Sequence, residues 1–446
     1  MYLIYSVATF VAFLVVSPYF LYQAVRHRKY IGSLGQRLGS LPVSFNLDGD
    51  ESIWVHAVSV GEVLTARPLV AALQAEYPNL RVFLSTTTRT GQQLARRGAL
   101  DVDAVFYFPF DWTFTARRTL DLVRPRLFVM METEIWPNLL RECRRRGIRT
   151  VVVNGRLSSR SFPRYKLIRR FFGRVLNDID RFLVQSDATS RRLVELGADS
   201  ARITVTGSLK FDSLDAVAPV PNRGEARVLR FFRISEGRLV VVAGSTLKGE
   251  EEAVIRAFNR LRASGAAGAL LILAPRHPER FADVERLCRH EGLTTARRSD
   301  LPVDAEPRVD AVVVDTIGEL AQIYQLATVV FVGGSLVPAG GHNILEPAVF
   351  GKPIIFGAHM DNFAEIAEGF LGSGAAVQVS SPAGLEEAIL ELAGDPVRRA
   401  RLGAAARALV EANRGARDRT LAAITDLFPP ADQAAPGVVR RLRLVQ

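Results

Sequence analysis

Cysteine is almost absent: Cys143 and Cys288 are the only two in 446 residues. They stand far apart in no metal or redox spacing, which excludes a disulfide framework and agrees with a reducing compartment. Each reads as a small buried residue. Histidine is scarce too, six in all, and no His or Cys cluster marks a bound metal. Charge is missing altogether from the first 25 residues, Met1 to Val25. The basic start and small-residue cleavage site of a removable signal peptide are missing as well. What remains is an apolar segment as long as the roughly 20 residues that cross a bilayer. It is followed at once by Arg26-His27-Arg28-Lys29. That pattern is a retained membrane anchor whose basic flank keeps the rest of the chain in the cytoplasm. Pro18 and the aromatics Tyr2, Tyr5, Tyr19, Phe20 and Tyr22 fit an interfacial segment as well as a single pass, so the choice stays open.

At 446 residues and 48% hydrophobic, the chain is too long for one ordinary core, and two domains of about 200 residues each are expected. The net charge of +11 calls for nucleic acid, anionic lipid headgroups or phosphorylated substrates. The anchor favours the last two, so membrane lipids are an expected partner and nucleic acid is not. From Ser52 short apolar runs alternate with amphipathic ones. Ile53–Ser59, Arg81–Ser85, Ala104–Tyr107, Leu127–Met131 and Thr150–Val153 read as strands, with helices such as Val63–Glu76, Phe114–Val123 and Pro137–Arg146 between them. The rhythm lapses from Asp212 to Gly237, around Pro219 and Pro221. It resumes with strands near Leu239–Ala243, Leu270–Ala274, Ala311–Val314, Val329–Val332 and Pro353–Phe356, then a long helical stretch from Pro396 to Leu427. This α/β alternation predicts two Rossmann-like, doubly wound parallel-sheet domains facing a cleft, with ligands at the C-terminal strand ends. The expected division is an anchor over 1–30, a first domain over 31–215, a second over 216–428 and a disordered basic tail over 429–446 that ends in Arg440, Arg441 and Arg443.

Several loops carry chemistry. Beyond the run Ala327–Val332 come Gly333-Gly334-Ser335 and then Gly340-Gly341-His342-Asn343-Ile344-Leu345-Glu346-Pro347. A strand, a glycine turn and a helix start present backbone N–H groups and a positive dipole end, an anion site. Asn343 and Glu346 share a face there, so Glu346 is placed to accept ribose hydroxyls. Ala243-Gly244-Ser245-Thr246 ahead of Gly249-Glu250-Glu251-Glu252 has the shape of a second anion-binding turn. Arg276, between Pro275 and Pro278, is placed to contact a nucleotide, while His277 reads equally as structural. In the first half, Glu62 ends Val58-Ser59-Val60-Gly61-Glu62 at the edge of a strand. It is either a helix-dipole partner or a general base, and the dipole is expected to keep its pKa low. Glu132 and Glu134 before Trp136-Pro137 exceed the needs of a helix cap, so one of them is expected to face the cleft. Lys210, in Gly207-Ser208-Leu209-Lys210-Phe211-Asp212, reads as an exposed linker lysine or as a group neutralising a leaving phosphate. Arg156 to Arg174 interleaves basic and aromatic side chains and suits anionic lipid headgroups. Asp101-Val102-Asp103 has a D-x-D spacing but precedes a strand, at the wrong edge of the sheet for a metal site.

Taken in order, H-A-V-S-V-G-E at 56–62, M-E-T-E-I-W-P-N at 131–138, R-L-S-S-R-S at 156–161, T-G-S-L-K-F-D at 206–212, P-R-H-P-E-R-F at 275–281, D-T-I-G-E-L at 315–320, G-G-S-L at 333–336 and G-G-H-N-I-L-E-P at 340–347 resemble the 3-deoxy-D-manno-octulosonate (Kdo) transferases. These are membrane-anchored glycosyltransferases of the two-lobed GT-B type, and the resemblance covers nearly the whole chain. It implies transfer of Kdo from CMP-Kdo to a lipid A precursor in the bacterial inner membrane, with inversion and with neither a metal nor a cofactor. By position, Glu62 matches the general base of the family, and Glu132 and Lys210 match groups that stabilise the transition state. Pro275 and Arg276, then Ile317, Gly318 and Glu319, then Asn343, Ile344, Leu345 and Glu346 match the CMP-binding segments. Leu247 departs from the pattern, where many members carry His, and Lys248 is the neighbour that would take over its role. The rival readings are another GT-B sugar-nucleotide enzyme, an epimerase or transferase, and a membrane-tethered nucleic-acid binder.

Overall fold

The computed structural model describes residues 1–27, 31–158, 161–216 and 227–430. Arg28 and Lys29 of the basic flank, Ser159 and Arg160, the linker prolines Pro219 and Pro221, and the tail from 431 with Arg440, Arg441 and Arg443 lie outside the described residues.

The chain divides into two compact units, one of residues 1–213 together with the segment from Arg414 onward, the other Leu214–Asn413. In the first, strands β1 (Ser52–His56), β2 (Arg81–Thr86), β3 (Ala104–Tyr107), β4 (Pro125–Met131), β5 (Arg149–Gly155), β6 (Arg181–Val184) and β7 (Ile203–Val205) form one sheet in the order β3-β2-β1-β4-β5-β6-β7. Every pairing is parallel. A parallel sheet is covered on both faces, so its central strands carry apolar residues at every position. Trp54, Phe83 and Phe128 pack to one face, Ile53, Val55, Leu84 and Val129 to the other. The helices that bear on the site are α1 (Tyr2–His27), α2 (Val60–Glu76), α3 (Thr113–Val123), α4 (Pro137–Arg145), α5 (Phe162–Leu167) and α6 (Arg169–Leu176).

The second unit repeats the plan with β8 (Val240–Thr246), β9 (Leu270–Pro275), β10 (Thr295–Arg297), β11 (Ala311–Val313), β12 (Val329–Val332), β13 (Ile354–Gly357) and β14 (Val377–Val379). Their order is β10-β11-β9-β8-β12-β13-β14, again all parallel. Helix α7 (Glu250–Ala263) covers Val241, Leu271, Leu273 and Phe331, and α8 (Leu345–Val349) follows the glycine loop. Both sheets therefore reverse direction beside their first strand, at β1/β4 and at β8/β12. In an open parallel sheet that switch point is where loops part and ligands bind.

Two expectations change. The helical stretch 396–427 is two helices, α9 (Pro396–Asn413) and α10 (Ala416–Leu427), separated at Gly415, whose φ of +83° no continuing helix adopts. Moreover α10, expected inside a domain running to 428, belongs to the first unit, where Ala416 and Ile424 are buried with Ile53 and Leu69. Asp212 holds it there, its carboxylate accepting the N–H groups of Gly415 at 2.8 Å and Arg417 at 2.6 Å. Strands β6, β7, β10 and β14 were not among the expected ones; β7, β10 and β14 are sheet edges of three residues each, only partly buried, and so carry no unbroken apolar run.

Helix α1 contains an 18-residue stretch, Tyr2–Tyr19, long and apolar enough to cross a membrane, with a mean hydropathy of 1.7. One stripe of it packs on the first unit. Tyr5 stacks on Phe171 of α6 at 5.8 Å, and Tyr2 meets the same ring edge-on at 5.7 Å. Asn138 of α4 donates to the Ser6 hydroxyl at 3.0 Å. Phe10 and Phe13 lie on Trp112 at 5.6 and 5.1 Å. Both cysteines are buried and free, as their isolation in the sequence implies.

Candidate active site

Beyond β1 the chain runs through Ala57 and Val58 into α2, which begins without a side-chain bond from its cap, Ser59. Glu62 fills that role by folding back. Its carboxylate accepts the Val58 N–H at 2.8 Å and the Ser59 hydroxyl at 3.2 Å. Such bonds lower a carboxylate pKa, yet that of Glu62 is pushed up to about 8, first by burial and next by the charge of Glu132, with Glu134 adding to it. The expectation of a low pKa is thus overturned: desolvation and like charge outweigh the helix dipole.

The carboxylate trio is a product of the switch point. Glu62 follows β1, and Glu132 follows β4, the adjacent strand on the other side of the reversal. A φ of +55° at Glu132 turns the chain out of the sheet, while its N–H still reaches Val153 O at 2.8 Å. Arg156 Nε stands 3.9 Å from the Glu132 carboxylate. Glu134 is itself raised by burial and by Glu132. Both members of the Glu132–Glu134 pair therefore lie within charge reach of Glu62, where one was expected. Burial and the Glu134 charge raise Tyr165 of α5 as well, which puts a phenol that the motifs did not single out beside the trio.

Lys210 leaves edge strand β7, but its loop bends back over the sheet: the Leu209 N–H donates to Asn154 Oδ1 at 3.0 Å, and Asn154 lies in β5, next to β4. Buried Asn154 takes a φ of +55° to do so. Asp103 accepts the Val82 N–H at 2.8 Å, a strand-starting role that matches its place before β3.

In the second unit the Gly333–Ser335 loop does bind an anion, but the anion is the protein's own. The buried carboxylate of Glu250, in the first turn of α7, accepts N–H groups from Leu247 at 2.9 Å, Gly334 at 2.7 Å, Ser335 at 3.0 Å and Leu336 at 2.9 Å. Both expected anion sites of this switch point, after β8 and after β12, are thus joined by one side chain. Glu250, the first of the three acids that open α7, takes up these N–H groups of both loops, so they are not available to an external anion at that turn. Glu251 is also turned inward, receiving Thr246 and Arg280, each at 3.2 Å.

The second glycine pair leads elsewhere. Gly340 and Gly341 have φ of +89° and +74°. The Gly341 N–H returns to Gly334 O at 2.7 Å, so the chain doubles back and delivers His342 to Glu346 beside Arg276. Asn343 donates to Glu346 at 3.1 Å and accepts the Leu345 N–H at 3.1 Å. Burial raises the Glu346 carboxyl and Arg276 opposes it; the same Arg276, with His277, adds to burial in driving His342 down to about 4. Arg276, Asn343 and Glu346 are therefore brought together as expected, with His342 and His277 added. Ile344 and Leu345 are fully buried, so only their backbone is available to a ligand. Ile317 is 85% exposed, Gly318 has a φ of +90°, and Glu319 is held at 2.7 Å by buried Arg298, which stacks on Phe231 at 3.5 Å. Leu247 contributes its backbone to the Glu250 clasp, and Lys248 is exposed.

A family profile described as 3-deoxy-D-manno-octulosonic-acid transferase (kdotransferase) matches residues 32–213. The 3-deoxy-D-manno-octulosonic acid transferase of Haemophilus influenzae is 35% identical over 408 residues, which is 91% of this chain and 93% of that one. The enzyme of the same name from Bordetella pertussis is 36% identical over 382 residues, 84% and 87% of the two chains. A glycosyltransferase structure from Rickettsia africae, at 11% identity, superposes with a TM-score of 0.55 over 85% of this chain and 99% of that one, which identifies the fold as GT-B. With identity above 30% over nine tenths of both lengths, the chain belongs to the 3-deoxy-D-manno-octulosonic acid transferase family and is a glycosyltransferase.

Proposed function

We propose that the protein moves Kdo from CMP-Kdo to a lipid A precursor in lipopolysaccharide synthesis, inverting the anomeric centre and using no metal. Glu62 is the base. An acceptor hydroxyl oxygen attacks the anomeric carbon from the face opposite the phosphate, the carbon–oxygen bond to CMP breaks with its electron pair, and the hydroxyl proton passes to Glu62. What carries this reading is the placement of Glu62 beside Glu132 and Glu134 at the switch point between β1 and β4, where burial and like charge raise its pKa. A base tuned toward neutrality takes a proton more effectively than an ordinary carboxylate. Glu132 and Lys210 stabilise the charge that develops, and in the other unit Pro275, Arg276, Ile317, Gly318, Glu319 and Asn343 to Glu346 hold CMP. One phosphate in the donor suits a single arginine, Arg276, without a cation. Helix α1 keeps the enzyme at the cytoplasmic face of the inner membrane, where a lipid acceptor is met.

The test is mass spectrometry of a tetraacylated, bisphosphorylated disaccharide lipid incubated with the protein and a CMP-Kdo source. The expected product gains Kdo. In Glu62→Gln, kcat should fall at least about a hundredfold, the lower end for a general base, with CMP affinity within roughly threefold of wild type. More than a tenth of the turnover left in that variant would remove Glu62 from the role.

A further inference from the structure

Helix α1 has a face that the first unit uses and a face that it does not. Tyr2, Tyr5, Ser6, Phe10 and Phe13 recur at helical spacing and make the packed stripe already described. The Tyr2 hydroxyl also meets the Asp178 carboxylate, and Phe13 lies on Phe110 at 5.2 Å. From the other side project Leu3, Ile4, Val7, Val11, Leu14 and Val15, each more than half exposed.

Docking constrains how the helix can meet a bilayer. Its contacts with the unit run from Tyr2 to Phe13, about 17 Å at roughly 1.5 Å per residue. Residues 14–27 extend only about 20 Å further, well short of a hydrocarbon core of about 30 Å. A helix that keeps these contacts cannot also cross.

The surface beside α1 continues in the same character. Phe114 opens α3 and is 48% exposed; Leu167 and Ile168, at the corner between α5 and α6, are 86% and 50% exposed. Cations lie among them. Half-buried Arg141 sits over Tyr2 at 4.6 Å and exposed Arg118 over Phe114 at 5.9 Å, and Arg164, Lys166, Arg169 and Arg170, all four exposed, flank the corner. Between α1 and α3 runs a groove of about 570 Å³ lined by Val7, Phe10, Trp112 and Phe114, with Arg117 on its wall. Apolar side chains within a ring of arginine and lysine complement a leaflet of acyl chains under anionic headgroups.

We propose that α1 is not a span: it lies along one leaflet with both its ends on the side of the globular unit and, with Phe114, Leu167 and Ile168, forms a face seated in an anionic lipid surface. This rests on the membrane location given under the proposed function and adds a topology to it.

The full chain in bacterial membranes, carrying an epitope on a flexible spacer ahead of Met1, decides the matter. Protease should remove the epitope in inside-out vesicles and leave it intact in right-side-out spheroplasts. Removal in spheroplasts would overturn the topology while the chain still pelleted with membranes; a chain found in the soluble fraction would overturn the membrane reading as well. A second measurement does not depend on the tag. In unextracted membranes the double variant S6C/N138C, folded by its resistance to limited proteolysis, should form an intrachain disulfide under mild oxidation, because the two side chains are in hydrogen-bond contact. A span would carry Ser6 away from α4, and no disulfide would form.

Discussion

If Glu62 accepts the acceptor proton, the pH dependence of kcat/KM carries the signature of its surroundings. With a pKa of about 8, roughly nine tenths of Glu62 is protonated at pH 7. The rate should therefore rise close to tenfold per pH unit up to about 8 and level off beyond. Burial is the largest cause of the shift and the Glu132 charge the second, so Glu132→Gln removes one named contribution and leaves the other. Whatever it does to the plateau, this variant should move the midpoint of the rising limb toward acid. The apparent midpoint belongs to the carboxylate trio as a set, and Glu134→Gln should move it the same way by less. The assay is initial-rate kinetics from pH 6 to 9.5 with saturating donor. A limb at the same pH in wild type and Glu132→Gln, or a profile flat across this range, would refute the reasoning. The same shift has a sign in stability. From the ordinary 4.5 up to about 8, the folded chain keeps a proton that the unfolded chain has released. The stabilisation is complete below pH 4.5 and lost as the pH rises through 8, with a ceiling of roughly 5 kcal/mol that water at the half-buried carboxylate reduces. Glu62→Gln should thus become more stable than wild type as the pH passes from 5 to 8.5, read as Tm in a thermal scan.

Arg276→Ala and Glu346→Ala should each weaken CMP binding by about 1.5–3 kcal/mol, the range of a charge-assisted hydrogen bond, with circular dichroism unchanged; calorimetry with both affinities intact would place the nucleotide elsewhere. Glu250→Ala orphans four backbone donors in two loops and should cost more than about 3 kcal/mol of stability; Glu250→Gln, which keeps one acceptor oxygen, should recover part of the Tm. Asp212→Ala removes both N–H acceptors at the start of α10 and should lower stability by about 1–2 kcal/mol, with limited proteolysis cutting first near Gly415.

The doubly wound plan was readable because central strands such as Ile53–Val55 and Leu271–Leu273 are buried on both faces and leave unbroken apolar runs. An edge strand such as Thr295–Arg297, with each residue only half-buried, leaves no apolar run, whereas the equally short but fully buried Ala311–Val313 does. The site divides similarly. Glu132 and Arg276 stood out because each directly follows a strand, and Glu62 and Glu346 because each sits in the first turn of a helix that a recognisable loop leads into. The partner that neutralises a glycine loop, Glu250, was visible only as one of three acids in a helix start; which of them reaches that loop depends on the register between β8 and β12, which no local pattern encodes. The pKa of Glu62 was misjudged for the same kind of reason. Its dipole and its caps are local, whereas Glu132 lies seventy residues on and meets it only through β1/β4 pairing.

The return of α10 to the first unit bears on how the protein is made. During synthesis the second unit is a continuous stretch, complete once Asn413 has emerged, whereas the first, though begun earlier, lacks Ala416, Ile424 and the partner of Asp212 until the segment after Asn413 has emerged as well. The earlier-born unit is thus the later to mature, and its exposed apolar seat is the surface most open to misassociation in the interval. A chain shortened just after Asn413 would lose part of the core that supports Glu62 and leave the sheet of the second unit whole.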